Sequence, residues 1–356
     1  MFTERVTWQA WCRIMRQAGL SRPTDLLFPP ERLFNPAWGF QTGLHHVFEL
    51  VYSQQQNRVV AAYVFAQREQ DICLIDVRAT PDAPGEWVEH MITSWETIAT
   101  NCKADSMVGP VGCFAFLADG VSEDYIINSE TIHIPAYPNI LVACLRRRGY
   151  VSAWSGTVWG RQGAYGTPQV DVQQRISSVR TGSWMNIFSI ALKLERVLSA
   201  SFATLPWHRG SGAPLPSLVR SYAPVFDPSL VMLGGTLKDP SGAVLTHHEL
   251  SSVPQSAYAL PRFLQRLWLW RRSRQSGSLH VSVIGLLPRS RNSRTGFALF
   301  KATEQLLRSA TLVTTSVIRD DNDASRLMAQ RMGLSPLQQR IVFRKQCQQC
   351  STTIGE

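Results

Sequence analysis

The stretch "HVSVIGLLPRSRNSRTGFALF", His280 to Phe300, carries most of the information about the fold. β-branched Val281, Val283 and Ile284 favour a strand, and Pro288 stops it. A loop with Arg289, Arg291 and Arg294 follows, and Gly296 opens an apolar helix through Phe297, Ala298, Leu299 and Phe300. The first turn of a helix has N–H groups without intrahelical partners at the positive end of its dipole, so this junction suits a phosphate. Arginines beside it add charge-assisted contacts. A solvated basic loop is the competing reading. A dinucleotide fold would need Gly-x-Gly-x-x-Gly and a P-loop Gly-Lys-Ser/Thr, and neither is present here.

Working outward, the second half reads as a helix ("WMNIFSIALKLERVLSASFA"), a Gly/Pro loop and a strand pair turned at Asp239–Gly242. A basic aromatic helix ("LPRFLQRLWLWRRSRQ") comes next, then the opening stretch, a strand ("LVTTSVIRDDN"), a helix and a last strand ("RIVFRK"). The first half has the same order. "MFTERVTWQAWCRIMRQAGL" reads as an amphipathic helix, and two strands turn at Gln54–Asn57. "GEWVEHMITSWETIATNCKA" spaces Trp87, Met91, Trp95 and Ile98 at helical intervals. "SMVGPVG" is a short strand, "NILVACLRRRGY" a helix ended by Gly149, and "SAWSGTVWG" a strand. Residues 161–183, rich in Gly, Gln and Ser, form the linker between modules 1–160 and 184–356. The repeated syntax implies an internal duplication and an α/β (α+β) fold, each module a mixed central sheet flanked by helices.

The composition fits. A chain of 356 residues that is 44% hydrophobic and 17% charged folds as a globular protein, and its length favours two domains. A net charge of +10 implies an anionic partner: a phosphate-bearing cofactor, a nucleic acid or an acidic carrier protein. Seven cysteines without regular spacing imply a reducing, cytoplasmic compartment. The "CQQC" at Cys347 and Cys350 lacks the companion ligands of a zinc site, so no metal is expected. No secretory leader opens the chain and no apolar run of about 18 residues exists, so no membrane partner is expected.

Pro288, Arg291, Arg294 and Gly296 are spaced like the loop of the Gcn5-related N-acetyltransferase (GNAT) superfamily, Arg/Gln-x-x-Gly-x-Gly/Ala. Arg291 fills its first position and Gly296 its last, while Arg294 replaces the first glycine. Asn322 and Gly333 are similar to the ends of the superfamily's closing helix, and Ala329 stands where its tyrosine acid usually falls. Gly109, Pro110, Asp119, Gly120, Tyr137, Pro138, Gly149 and Tyr150 resemble the first module of bacterial tandem proteins of this type. Together these motifs cover most of the chain.

The resemblance implies an N-acyltransferase that moves an acyl group, most simply acetyl, from acetyl-CoA or another acyl-CoA to a small amine. Direct attack on the thioester then requires an uncharged amine and a stabilised oxyanion. The cofactor side would be Ile284, Leu286, Arg289, Arg291, Asn292, Ser293, Arg294, Thr295, Gly296 and Asn322, with a bulge at Gly285. The Leu286 and Leu287 N–H groups would be the oxyanion donors. His247 and His248 are the candidate bases, with Glu249 able to orient one of them; the bland alternative is a pair of surface histidines at a strand end. His280 could point to either face. Asp320 and Asp321 read as cap or turn residues. The first module lacks an arginine loop, so it is expected to shape the substrate pocket without binding CoA, with Trp38, Tyr137 and Trp154 as wall residues.

Two other readings stay open. An aminoacyl- or acyltransferase could draw on charged tRNA or an acyl carrier protein, which the basic aromatic helix and the +10 charge would suit. Against this, that helix could simply pack Phe263, Leu264, Leu267 and Trp270 into the core with its arginines outside. The last reading is a degenerate, non-catalytic module kept as a scaffold.

Overall fold

The computed structural model describes residues 1–26, 46–53, 58–111, 121–122, 140–163, 179–182, 190, 192–194, 197, 224–236, 239–250, 253–287, 290 and 293–347. In the first half the strands are β1 (Phe2–Val6), β2 (His46–Ser53), β3 (Arg58–Arg68), β4 (Asp71–Ala79), β5 (Ser106–Gly109), β6 (Val121–Ser122) and β7 (Val151–Gln162). The helices there are α1 (Trp8–Gln17), α2 (Glu86–Asn101) and α3 (Ile140–Arg147). The second half has β8 (Val179–Thr181), β9 (Val231–Gly235), β10 (Pro240–His248), β11 (Ser278–Leu286), β12 (Leu312–Thr315), β13 (Ile318–Arg319) and β14 (Ser335–Gln346). Its helices are α4 (Gln255–Tyr258), α5 (Arg262–Gln275), α6 (Arg294–Leu307) and α7 (Asp323–Arg331).

Helix α2 forms where the sequence places it, and Trp87, Met91, Trp95 and Ile98 are all buried. Burying each such side chain stabilises the fold by roughly 1.5–3 kcal/mol. After α3 the chain reverses at Gly149, whose φ of 79° lies in the left-handed region that glycine enters without Cβ strain. The N-terminal segment differs from its expected form. Only Trp8–Gln17 is helical, because Thr7 caps it by accepting from the Ala10 N–H, and Phe2–Val6 pairs antiparallel with β2.

All described strands join one sheet, in the order β1-β2-β3-β4-β5-β14-β7-β12-β11-β10-β9-β8, with β6 beside β14 and β13 beside β7. Chain order and spatial order part company at the middle. β7, from the first half, pairs with β12 of the second, while β14, the last strand, lies between β5 and β7. The halves therefore exchange their closing strands. Helices α2 and α3 cover one face of the first half with Phe65 and Leu74, and α6 packs Leu299 and Leu307 on Val244 and Val281 in the second. A third apolar layer draws on both halves, from Trp11, Phe48 and Ile75 to Leu245, Leu269 and Val283, with Val342 of β14 among them.

Candidate functional site

β11 and β12 run parallel only from Ser278 opposite Leu312 to Val281 opposite Thr315. The Ser316 N–H donates to Val281 O at 3.1 Å, and there the strands part. The chain after β12 turns to pair Ile318 with Thr157 on β7, whereas β11 continues along β10. A wedge opens between them. On its β11 side, the Leu287 N–H donates to Ser241 O at 2.9 Å. Antiparallel alternation then turns Val283 and Gly285 toward β10 and leaves the main-chain groups of Ile284 and Leu286 facing the wedge. Of the two expected oxyanion donors, the Leu286 N–H faces the wedge and the Leu287 N–H is already engaged by Ser241. The bulge lies at Ser282, not Gly285: Leu245 pairs with Val283 and Thr246 with Val281, which leaves one extra residue on β11. The Ser282 hydroxyl is buried and has no hydrogen-bond partner among the described residues.

Helix α6 opens at Arg294, two residues before the expected Gly296, because Ser293 is the N-cap. Its hydroxyl accepts from the Gly296 N–H at 3.3 Å and donates to Ser290 O at 2.7 Å. That engages one first-turn donor, while those of Arg294 and Thr295 have no partner among the described residues. A Cβ on Gly296 would come within 3.2 Å of Leu286 Cδ1 and 3.4 Å of Ser290 O, so the helix end lies close on the end of β11. The Arg294 side chain is exposed beside it. Pro288, Arg289, Arg291 and Asn292 lie outside the described residues.

At the root of the wedge is a buried polar set that the sequence reading did not assemble. His280 and Glu249 are fully buried, with His280 Nδ1 3.4 Å from Glu249 Oε2. The Thr314 hydroxyl donates to Glu249 Oε2 at 3.1 Å and lies 2.8 Å from His280 Nδ1. With its proton given to Glu249, that hydroxyl accepts the Nδ1 proton, which fixes the tautomer and leaves Nε2 with its lone pair. Nε2 lies 3.2 Å from the Ser316 hydroxyl, at the point where the strands part. Glu249 thus orients His280, rather than His247 or His248. The register places His247 opposite His280, buried with its ring 6.1 Å from Phe226. His248 is 3.9 Å from Asp227; burial, then the nearby Arg274, hold its ring below the usual imidazole range against the pull of Asp227.

The closing helix α7 is capped by Asn322, which accepts from the Ser325 N–H at 3.2 Å, and Ala329 is buried on its inner side. Asp320 accepts from Ser155 at 2.6 Å and from Thr157 at 3.3 Å, tying this turn to β7, while Asp321 pairs with Arg319. Trp154 packs in the shared apolar layer with the Arg319 guanidinium 5.9 Å from its ring. Trp38 and Tyr137 lie outside the described residues, as do Asp119, Gly120, Pro138 and Cys350. Among the described residues no cluster of His, Cys, Asp or Glu could hold a metal.

The first half repeats this geometry with different residues. β4 and β5 run parallel from Asp71 opposite Ser106 to Cys73 opposite Val108, and β4 bulges at Ile75. Setting the two parallel starts in register places Cys73 against His280, Ile75 against Ser282 and Arg78 against Gly285. Arg78 is buried and holds Asp25 through Nη1 and Nη2 at 2.6 and 2.9 Å and Asp76 through Nε at 2.8 Å. Arg22 adds a contact to Asp76 at 3.0 Å. Burial acts to lower the Arg78 pKa, but the Asp25 and Asp76 charges outweigh it and raise it, so the guanidinium stays charged.

A mixed sheet with one parallel strand pair per half and a capped helix after β11 is the frame on which the chain meets solved structures. The chain superimposes over 97% of its length on a tandem GNAT protein from the clavulanic acid biosynthesis pathway, covering 98% of that chain with a TM-score of 0.55 at 10% identity. This chain has a tandem GNAT fold. A GCN5-related N-acetyltransferase from Sphaerobacter thermophilus matches 97% of this chain and 95% of its own, with a TM-score of 0.51 and 12% identity. The glucosamine N-acetyltransferase region of a fungal multi-domain β-N-acetylglucosaminidase matches with a TM-score of 0.52 at 10% identity, covering 97% of this chain and 38% of that one. No family model and no curated protein matches the sequence. β11 and β12 are the parallel pair that splays in the second half, and β4 and β5 the parallel pair of the first.

Proposed function

We propose that the chain is an N-acyltransferase that takes an acyl group from acetyl-CoA or a related acyl-CoA and delivers it to a small nitrogen nucleophile in the β11–β12 wedge. The observation that carries this is the buried Glu249–Thr314–His280–Ser316 set at the wedge root. An attacking amine must give up a proton as its nitrogen bonds to the thioester carbon and the carbon–sulfur bond breaks. In this reading the proton passes to the Ser316 oxygen as the Ser316 proton passes to His280 Nε2, and Glu249 stabilises the imidazolium. The departing thiolate takes a proton from solvent. The Ser282 hydroxyl, at the bulge beside the wedge root, is the group available to the oxyanion, and the Leu286 main chain, about 13 Å further along β11, is left to the arm of the acyl carrier. The open N–H groups of Arg294 and Thr295, with Arg289 and Arg291, would hold the pyrophosphate. We assign donor binding to the second module alone, since Arg78 and its carboxylates fill the corresponding place in the first.

Acetyl-CoA added to the whole protein should raise its melting temperature, and CoA release from acetyl-CoA should accelerate with at least one member of a panel of primary amines and hydroxylamines. Stabilisation by neither acetyl-CoA nor longer acyl-CoAs would overturn the reading. Salt-sensitive binding of charged tRNA, or a shift on adding an acyl carrier protein, with no response to acyl-CoA would move the donor to that carrier.

A further inference from the structure

Helix α5 lies between β10 and β11 in the chain, buries Gln265, Leu269 and Ser273, and packs Leu269 in the apolar layer with Leu245 and Val283. Gln265 donates to Tyr258 O at 2.9 Å, so its amide is satisfied inside. Arg262 donates to Asp25 O and Leu26 O at 3.1 and 3.3 Å, and Arg274 to Pro224 O and Phe226 O at 2.9 and 3.0 Å, which pin both ends. This is the reverse of a core-packed aromatic helix. Phe263, Leu267 and Trp270 are 70%, 58% and 46% exposed, at spacings i, i+4 and i+7 that form one outward ridge. Arg271 is exposed beside this ridge, the Arg274 guanidinium lies 4.8 Å from the Trp270 ring, and α5 has no acidic residue.

We propose that this ridge docks the protein on an anionic lipid surface, with Phe263, Leu267 and Trp270 entering the headgroup boundary and the arginines meeting lipid phosphates. An apolar stripe flanked by arginine is the pattern of a helix that lies in the interface plane, and the +10 net charge complements an anionic leaflet. Leu267 decides against a nucleic acid, because an aliphatic side chain at the ridge centre has no ring face for a base. No described helix is long and apolar enough to cross a bilayer, so the contact is peripheral. It revises the expectation of no membrane partner.

The test is co-sedimentation of the whole protein with vesicles of phosphatidylcholine alone and of phosphatidylcholine mixed with phosphatidylglycerol, beside gel filtration and tRNA binding at the same salt. Sedimentation with the anionic vesicles should be at least about tenfold stronger than with neutral ones. Leu267→Glu with Trp270→Glu should lower it about tenfold and Arg271→Glu severalfold, whereas Arg272→Glu, on the far side of the helix from the ridge, should leave it unchanged. These positions are exposed, so the variants should keep the wild-type melting temperature and acetyl-CoA response, which separates this test from that of the acyltransferase. No vesicle binding, equal binding by the Leu267→Glu and Trp270→Glu variant, tRNA binding that this variant loses, or a concentration-dependent dimer that it dissolves would each overturn the proposal.

Discussion

The two parallel strand pairs share a pairing start, a bulge position and a last hydrogen bond between their strands, yet one holds ions against ions and the other holds a histidine beside open backbone. In the first, Arg78 reaches from β4 to Asp25, so the strand end is tied to the segment after α1. In the second, Gly285 brings no side chain at the matching place, and His280 stands where Cys73 does in the first. The difference teaches that the backbone is a frame, and that two or three side chains decide whether it is filled by ion pairs or left open.

The comparison breaks most visibly at Arg78. Arg78→Ala removes the guanidinium that pairs the buried Asp25 and leaves Asp76 with Arg22 alone, and should cost about 3–5 kcal/mol, read as a loss of midpoint in urea unfolding. If the loss were under about 1 kcal/mol, the first pair would not be the stability-bearing one. Next, His280→Gln should lower the rate of amine-dependent CoA release by about a hundredfold while leaving stabilisation by acetyl-CoA in place, whereas Cys73→Ala should leave the rate unchanged. An equal effect of the two would erase the functional asymmetry. Arg291→Ala with Arg294→Ala should weaken acetyl-CoA binding about tenfold by calorimetry, with little change in unfolding, since the Arg294 side chain is exposed.

The smallest effect concerns pH. The His248 ring is held below its ordinary pKa by burial, so the folded protein resists its protonation. Stability from this group is full above about pH 6.5, where an unfolded histidine is neutral, and falls as pH drops below that value. His248→Asn should make the fall in melting temperature between about pH 6.5 and 5 shallower. An unchanged slope would show that the ring is solvated.

Local pattern made much of the fold legible. The spacing of Trp87, Met91, Trp95 and Ile98 announced α2, and the run Val281 to Leu286 announced β11, because each depends on near neighbours in the chain. The exchange of β7 and β14 was not legible, since β-branched runs state that a strand forms and not which edge it joins. Helix α5 misled for a related reason. Its aromatic residues read as core, but Gln265 and Ser273 go inward because backbone carbonyls at Tyr258 and Trp270 accept from them. At the site, Leu286 and the cap at Ser293 were within reach of sequence rules. The set of Glu249, His280, Thr314 and Ser316 was not, because its members come from three chain segments that meet only through strand register. The pairing of His280 with Thr314 on a parallel neighbour is the signal that would have found it.

The strand exchange also sets a schedule for synthesis. β7 leaves the ribosome long before β12 or β14, and β5 must wait for β14, so among the described residues the edges of β5 and β7 are closed only by the second half. A nascent chain of this protein is therefore exposed to edge-to-edge pairing with its neighbours on a polysome until the strand ending at Gln346 appears. Slow codons between the halves would lengthen that exposure, and a chaperone that shields strand edges would be needed most there.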